Sequence, residues 1–222
     1  MVRDGYFYAL GCAAAAALVG LLTAWHWLAL VPLPLAVFFL WFFRDPERRI
    51  PQDPGVIVSV GDGKVTEVAT AELNGRPAKR VSVFLSVFDV HVNRVPADGV
   101  VTRIEYRKGD FRNAMSAASA ELNEQSICTL RTAEGHEIVF KQIAGLLARR
   151  IVCRLRQGDR VARGERFGLI KFGSRCDVIL PEPAQVAVKV GDRVKGGSSI
   201  LGVLPVAATI SERPQSRQEV RQ

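Results

Sequence analysis

Hydrophobic positions along the chain follow two regimes, and the change comes near residue 50. Residues 5–43 hold no Asp, Glu, Lys or Arg, an uncharged run of 39 residues. A single membrane span needs about 20 apolar residues. The run is too long for one span and just long enough for two short ones. The pattern predicts apolar helices over about residues 6–24 and 28–43. Between them lie Trp25, His26 and Trp27, with Pro32 and Pro34 soon after. Tryptophan settles at the headgroup level of a bilayer, so His26 reads as an interface residue. A transmembrane hairpin and a re-entrant wedge both fit. In either, both ends emerge on one side, and Arg3, Arg44, Arg48 and Arg49 assign that side to the cytoplasm. The run is too long for a cleaved signal peptide.

After Pro51 the period shortens. Apolar runs rich in Val, Ile, Phe and Thr alternate with Gly- and Asp-bearing turns: GVIVSVGDGKVTEVA, RVSVFLSVFDVHVNRVP, GVVTRIEYRKGDF, SICTLRTAEGHEIVFKQIAG. This is the signature of short strands in a sandwich or barrel. Only residues 113–125 lack it, and they predict a short helix or an ordered loop. One internal repeat stands out: GDRVARG at 158–164 and GDRVKGG at 191–197, 33 residues apart. Each is two turns around a short strand, the lipoyl/biotinyl-like hammerhead pattern. Two such units fold over each other in a barrel-sandwich hybrid. The expected fold is therefore mainly β, a hammerhead β domain with an N-terminal hydrophobic helical hairpin. The expected organisation is an anchor over 1–43, a β-rich domain over 44–208, and a disordered polar tail over 209–222.

Charge adds direction. The net charge is +8, and residues 1–43 sum to zero, so all the excess lies in the β-rich part. That favours an anionic membrane surface or substrate. There is no dense Lys/Arg run interleaved with aromatics, which argues against nucleic acid. Four cysteines without a CxxC pair, and three histidines, give no metal-site spacing. They read as reduced thiols filling space in the core.

Candidate chemistry centres on KFGSRCDVILP, residues 171–181, where Gly173-Ser174 sits between two apolar runs. A turn is the plain explanation. Six motifs say more: FFRDPERRIP (42–51), SVGDGKV (59–65), FLSVFDVHVNRVP (84–96), NA with ELNEQS (113–114 and 121–126), QIAGLLARRI (142–151) and FGLIKFGSRCDVILP (167–181). In this order they resemble the short form of phosphatidylserine decarboxylase, from the hydrophobic pair to about residue 205. The resemblance implies a proenzyme that cleaves itself at Gly173-Ser174. The Ser174 hydroxyl would attack the Gly173 carbonyl, and β-elimination and loss of ammonia would leave a pyruvoyl group on the former Ser174. Glycine leaves that carbonyl open and permits unusual backbone geometry. The pyruvoyl ketone would take phosphatidylserine as a Schiff base and act as electron sink while carbon dioxide leaves. The product would be phosphatidylethanolamine, and fragments 1–173 and 174–222 would stay associated. The substrate would sit in an anionic bilayer, with the soluble part on the cytoplasmic face of the inner membrane. A homo-oligomer is an open expectation of such folds.

The resemblance also implies roles for His91 and Asp62. His91 would move a proton in self-cleavage or decarboxylation, and Asp62 would orient or charge-balance it. Longer bacterial relatives carry a second histidine three residues on, to which self-cleavage is attributed. Here that position is Arg94, which cannot serve as a base. Either His91 does both jobs, or strain and an oxyanion site activate Ser174. Asn113, Arg149 and Arg150 are candidates for binding substrate. On a strand, Arg175 would point away from the Ser174 face and Cys176 would share it. Deleting residues 1–43 is expected to lower turnover on bilayers and to leave self-cleavage intact. The alternative is a non-catalytic, membrane-anchored lipoyl-like adaptor or carrier. An adaptor needs a long heptad hairpin between its halves, absent from 165–190. A carrier needs its lysine in a tight turn, whereas Lys171 lies between Ile170 and Phe172.

Overall fold

The structure is a computed structural model, and it describes residues 2–23, 25–115, 119–146, 150–171 and 173–205. Two apolar helices open the chain, α1 (Arg3–Leu22) and α2 (Pro32–Phe42), linked through a 3-10 turn over His26–Leu30. Pro32 begins α2 at a position where no amide donor is needed. The helices pack side by side, with Tyr8 stacked on Phe39 and Phe43 at 4.9 and 5.5 Å. Among the described residues, only α1, at 20 residues or about 30 Å, has the length to cross a hydrocarbon core.

Fourteen strands are assigned among the described residues. They are β1 (Val56–Val58), β2 (Gly63–Leu73), β3 (Arg76–Leu85), β4 (Val92–Arg94), β5 (Gly99–Arg107), β6 (Gln125–Arg131), β7 (Glu137–Ile143), β8 (Arg150–Cys153), β9 (Arg160–Val161), β10 (Arg166–Lys171), β11 (Ser174–Pro181), β12 (Gln185–Val186), β13 (Arg193–Val194) and β14 (Ile200–Val203). Eight form one curled sheet, ordered β13-β2-β3-β11-β7-β6-β5-β9. Two smaller sheets, β1-β14-β12 and β4-β10-β8, complete the enclosure. Neighbouring strands in these sheets run antiparallel. The core lies inside, around Ile57, Leu85, Leu130, Phe140, Phe167, Val178 and Leu201. The segment over 113–125 holds the four-residue helix α3 (Ser119–Leu122) within a loop, as its lack of alternation predicts.

The two GDRV units make the same backbone bonds. Gly158 N–H donates to Val101 O and Gly191 N–H to Val65 O, both at 2.8 Å. Val101 N–H and Val65 N–H answer to Asp159 O and Asp192 O, both at 2.9 Å. Gly164 and Gly197, both left-handed, donate to Val95 O and Ser59 O. The hammerheads are thus related by a pseudo-two-fold, and it extends to their partner strands. Asp62-Gly63 stands where Asp98-Gly99 stands in the other half. Ile50 lies against both hammerhead glycines, where a Cβ on Gly164 or Gly197 would meet its side chain at 2.4 or 3.2 Å.

The stretch FFRDPERRIP is a strap between the hairpin and both halves. Arg44 donates to Phe88 O at 2.7 Å and lies over the Trp41 ring. Asp45 pairs with Arg94 and Arg166, and Arg48 pairs with Asp62. Phe42 and Phe43 are fully buried with Leu169. Asp4 of α1 reaches Lys171 at 2.8 Å. A cut at residue 43 would therefore pass through a packed cluster. Deleting residues 1–43 should therefore also destabilise the β domain. The single change Phe42→Ala should cost about 3–5 kcal/mol of stability. Chemical denaturation of the detergent-solubilised protein measures it, and a cost below about 1 kcal/mol would show that the hairpin is separable.

Candidate active site

Strand β11 places the Gly-Ser pair. Ser174 is its first residue and pairs with Leu85 of β3. From there β11 is bonded on both edges, to β3 and β7. Ser174 shares the inward face with Cys176, Val178 and Leu180, all in the core. Its hydroxyl is buried, and no hydrogen-bond partner falls to it among the described residues. Gly173 has φ of +67°, a left-handed conformation that costs any other residue type about 1–2 kcal/mol. Space is not its constraint, since a Cβ there would meet only Val87, at 4.0 Å.

His91 comes to this pair from the loop between β3 and β4. The loop is closed by Ser86 and Asp89: Ser86 N–H and Oγ donate to the Asp89 carboxylate at 2.9 and 2.7 Å, and Asp89 N–H returns a bond to Ser86 O. His91 is 2 % exposed. Gly173 N–H donates to its Nε2 at 3.1 Å, and Nδ1 lies 3.0 Å from Asp89 O. These partners assign the proton to Nδ1 and leave the Nε2 lone pair facing Gly173. Phe42 covers the ring at a centroid distance of 4.4 Å. Burial lowers the imidazole pKa to about 4, against the opposing pull of the Asp89 carbonyl and carboxylate. His91 is therefore neutral at pH 7 and able to accept a proton.

The Gly173 carbonyl is crowded by Gly145, which the sequence presents only inside the motif QIAGLLARRI. A Cβ built on Gly145 would fall 2.3 Å from Gly173 O and 3.2 Å from its carbon. Asn123 holds this neighbourhood together. Its Nδ2 donates to Ala144 O and Arg112 O, both at 2.8 Å, and its Oδ1 accepts Arg112 N–H. The motifs NA, ELNEQS and QIAG thus converge on one corner. Nothing in the spacing of Gly145 singled it out, because the contact spans 28 residues.

Beside Gly173 lies a cavity of about 320 Å³, lined by Phe84, Val87, Phe88, Asn113, Ala114 and Leu146 among others. Its rim is apolar: Phe88 is 70 % exposed, and Leu146 is also exposed. Trp41 of the hairpin meets Phe88 edge-on at 6.2 Å. A larger cleft of about 670 Å³, which includes His136, sits at the other end of β11 around Pro181, away from Gly173, Ser174 and His91.

The sequence-predicted residues divide as follows. His91, Gly173 and Ser174 are together, and Asn113 lines the adjoining cavity. Asp62 has other partners: both its oxygens accept from Arg48, and Oδ1 also accepts Gly196 N–H at 2.8 Å. Its counterpart Asp98 likewise accepts Arg163 N–H from the other hammerhead. No hydrogen bond joins Asp62 to His91. Arg94 turns away to Asp45, Pro46 O and Gly164 O. Arg150 is exposed opposite Lys171 and does not line the cavity. Arg149 lies outside the described residues, as does the tail 209–222. Cys128 and Cys153, which sequence gave no reason to pair, bring their sulfurs within 3.8 Å.

Fold and site together describe a β-rich enzyme with a buried serine at the start of a strand, next to a buried neutral histidine and an apolar cavity at the base of a hydrophobic hairpin. The family model for phosphatidylserine decarboxylase matches residues 35–202. Relatives of that description cover most of the chain. A phosphatidylserine decarboxylase proenzyme of Solibacter usitatus is 49 % identical over 206 residues, 90 % of this chain and 95 % of its own length. That of Syntrophus aciditrophicus is 48 % identical over 79 % of this chain and 84 % of its own. That of Neisseria meningitidis is 43 % identical over 97 % of this chain and 82 % of its own. The chain belongs to the phosphatidylserine decarboxylase family.

Proposed function

We propose that this chain is a proenzyme that cleaves itself between Gly173 and Ser174 and then decarboxylates phosphatidylserine to phosphatidylethanolamine. One observation carries the reading. A left-handed glycine bonded to a neutral imidazole precedes a buried serine hydroxyl with no hydrogen-bond partner among the described residues. Burying an unsatisfied hydroxyl costs stability, and a nucleophile is the use that fits it. The Ser174 hydroxyl would attack the Gly173 carbonyl, and His91 Nε2, which holds the Gly173 N–H, is the candidate base to receive its proton. Gly145, lacking a side chain, leaves the carbonyl oxygen in place. Arg94 is engaged by Asp45, so no second base is needed at that position in this account.

The residues present fit a pyruvoyl group derived from Ser174: it would start a strand bonded on both edges, next in sequence to Gly173, which lines the apolar cavity. Such a group supplies an electrophilic ketone that accepts the substrate amine and the electrons released with carbon dioxide. Asn113 would meet polar headgroup atoms, and Phe88, Leu146 and Phe84 would meet the apolar part of the lipid. His91 would then hold or deliver a proton at Nε2. The hairpin of α1 and α2 would seat the cavity rim at an anionic bilayer, with the β domain on the cytoplasmic face of the inner membrane. Fragments 1–173 and 174–222 would stay associated through β3, β11 and β7.

Intact-mass spectra of the protein and of Ser174→Ala test the reading. The expected result is two fragments split at 173/174, with the smaller one lighter by one ammonia than a serine-initiated chain. Ser174→Ala should give one full-length mass and release no carbon dioxide from phosphatidylserine. One full-length mass for both proteins would return Gly173-Ser174 to a plain turn.

A further inference from the structure

Self-cleavage, on which this inference rests, would make β11 the first strand of the smaller fragment, with the reacting group on its terminal residue. Chain ends fray unless something ties them down. Before the cut, Gly173 holds residue 174 through a peptide bond. Afterwards that restraint is gone.

The next residue is Arg175. Its side chain is 2 % exposed, on the face of β11 opposite Ser174. The guanidinium donates to Asp177 at 2.6 and 3.2 Å, to Glu67 Oε2 at 3.0 Å and to Ser82 Oγ at 2.7 Å. Glu67 lies on β2 and Ser82 on β3, so both belong to fragment 1–173. Arg80 donates to the second oxygen of Glu67 at 2.8 Å and approaches Asp177 at 3.9 Å. Lys141 stands opposite Asp177 across β7.

Burying a guanidinium is costly unless its donors are matched. Part of that match is local, since Arg175 neutralises the fully buried Asp177 carboxylate on its own strand. What the network does is bind the second residue of the small fragment to two strands of the large one. We infer that Arg175 is a positioning residue that keeps residue 174 in register at the site after the backbone is cut. It touches no substrate. Glu67 and Ser82 are its anchors across the cut, and the planar guanidinium reaches Asp177, Glu67 and Ser82 from fixed donors, a geometry an ammonium does not reproduce.

Before cleavage the peptide bond does this work and afterwards the network does, so the two stages should separate. Glu67→Gln sits at the rim of the network and leaves the Arg175–Asp177 pair intact. It should process at the wild-type rate within about twofold, yet lose about tenfold in kcat on phosphatidylserine vesicles, with KM unchanged. Arg175→Lys should show the same split more strongly. In the processed proteins, amides 175–177 should exchange hydrogen faster than in wild type. Unchanged kcat in both variants would overturn the inference. So would processing and kcat falling together with the melting temperature, or a loss confined to processing. A wild-type protein that never splits would instead remove the self-cleavage reading itself, and the same mass spectra report it.

Discussion

His91→Gln is expected to accumulate as a full-length chain, its self-cleavage slowed by about 10²–10⁴-fold. The glutamine amide can still accept the Gly173 N–H that Nε2 accepts at 3.1 Å. It cannot take up a proton. The variant therefore separates holding Gly173 from proton transfer, and His91→Ala removes both. Recovery to within about tenfold of wild type in His91→Gln would leave His91 only a holding role. The pH profile follows from the same ring. Its pKa of about 4 keeps the base neutral through the mildly acidic range. Pulse-labelled translation should show a processing rate level from about pH 8 to 5 and falling toward 4; a midpoint near the unperturbed value of about 6.5 would contradict the buried assignment. The stability sign agrees. A depressed pKa means the unfolded chain binds the proton more readily, so this contribution is complete above about 6.5 and is lost as pH falls toward 4.

Gly145→Ala should stop processing nearly as completely, without any change in acid–base chemistry. The new methyl would lie 2.3 Å from the Gly173 oxygen, well inside van der Waals contact, and 3.3 Å from the Ala114 Cβ. Gly145 is not in a left-handed conformation, so alanine brings no backbone strain of its own. The scissile carbonyl must move instead. Misplacement by about 1 Å costs about 10²-fold in rate, and that is the expected loss. Mass spectrometry gives the processed fraction, and a thermal melt distinguishes a displaced carbonyl from an unfolded chain. Wild-type processing in a folded Gly145→Ala protein would show that the carbonyl is not confined there.

The architecture was legible because its signals are local. Thirty-nine uncharged residues, two-residue alternation and a GDRV unit recurring after 33 residues each act through their immediate neighbours. They gave the hairpin, the mainly β domain and the paired hammerheads. The opposite faces of Ser174 and Arg175 followed from the strand period alone. The relation between β1–β2 and β4–β5 was not legible, because only Asp-Gly-x-Val survives in both halves. It appears in matched backbone bonds, which depend little on side-chain identity.

Residue types at the site were also in the sequence, but their pairings were not. Asp62 read as a partner for His91, yet Arg48 and Gly196 hold it, from 14 and 134 residues away. Arg94 stood in the place of a base and proved to be a strut for Asp45. Phe42 read as the end of an anchor and covers the catalytic candidate. Sequence by itself determined which chemistry was on hand: a hydroxyl after a glycine, one imidazole in a strand-ending loop, and an apolar N-terminal arm. Only the tertiary structure decided which groups meet. Hydrogen bonds and packing act over about 3–4 Å, and the chain brings those distances together from opposite ends of its length.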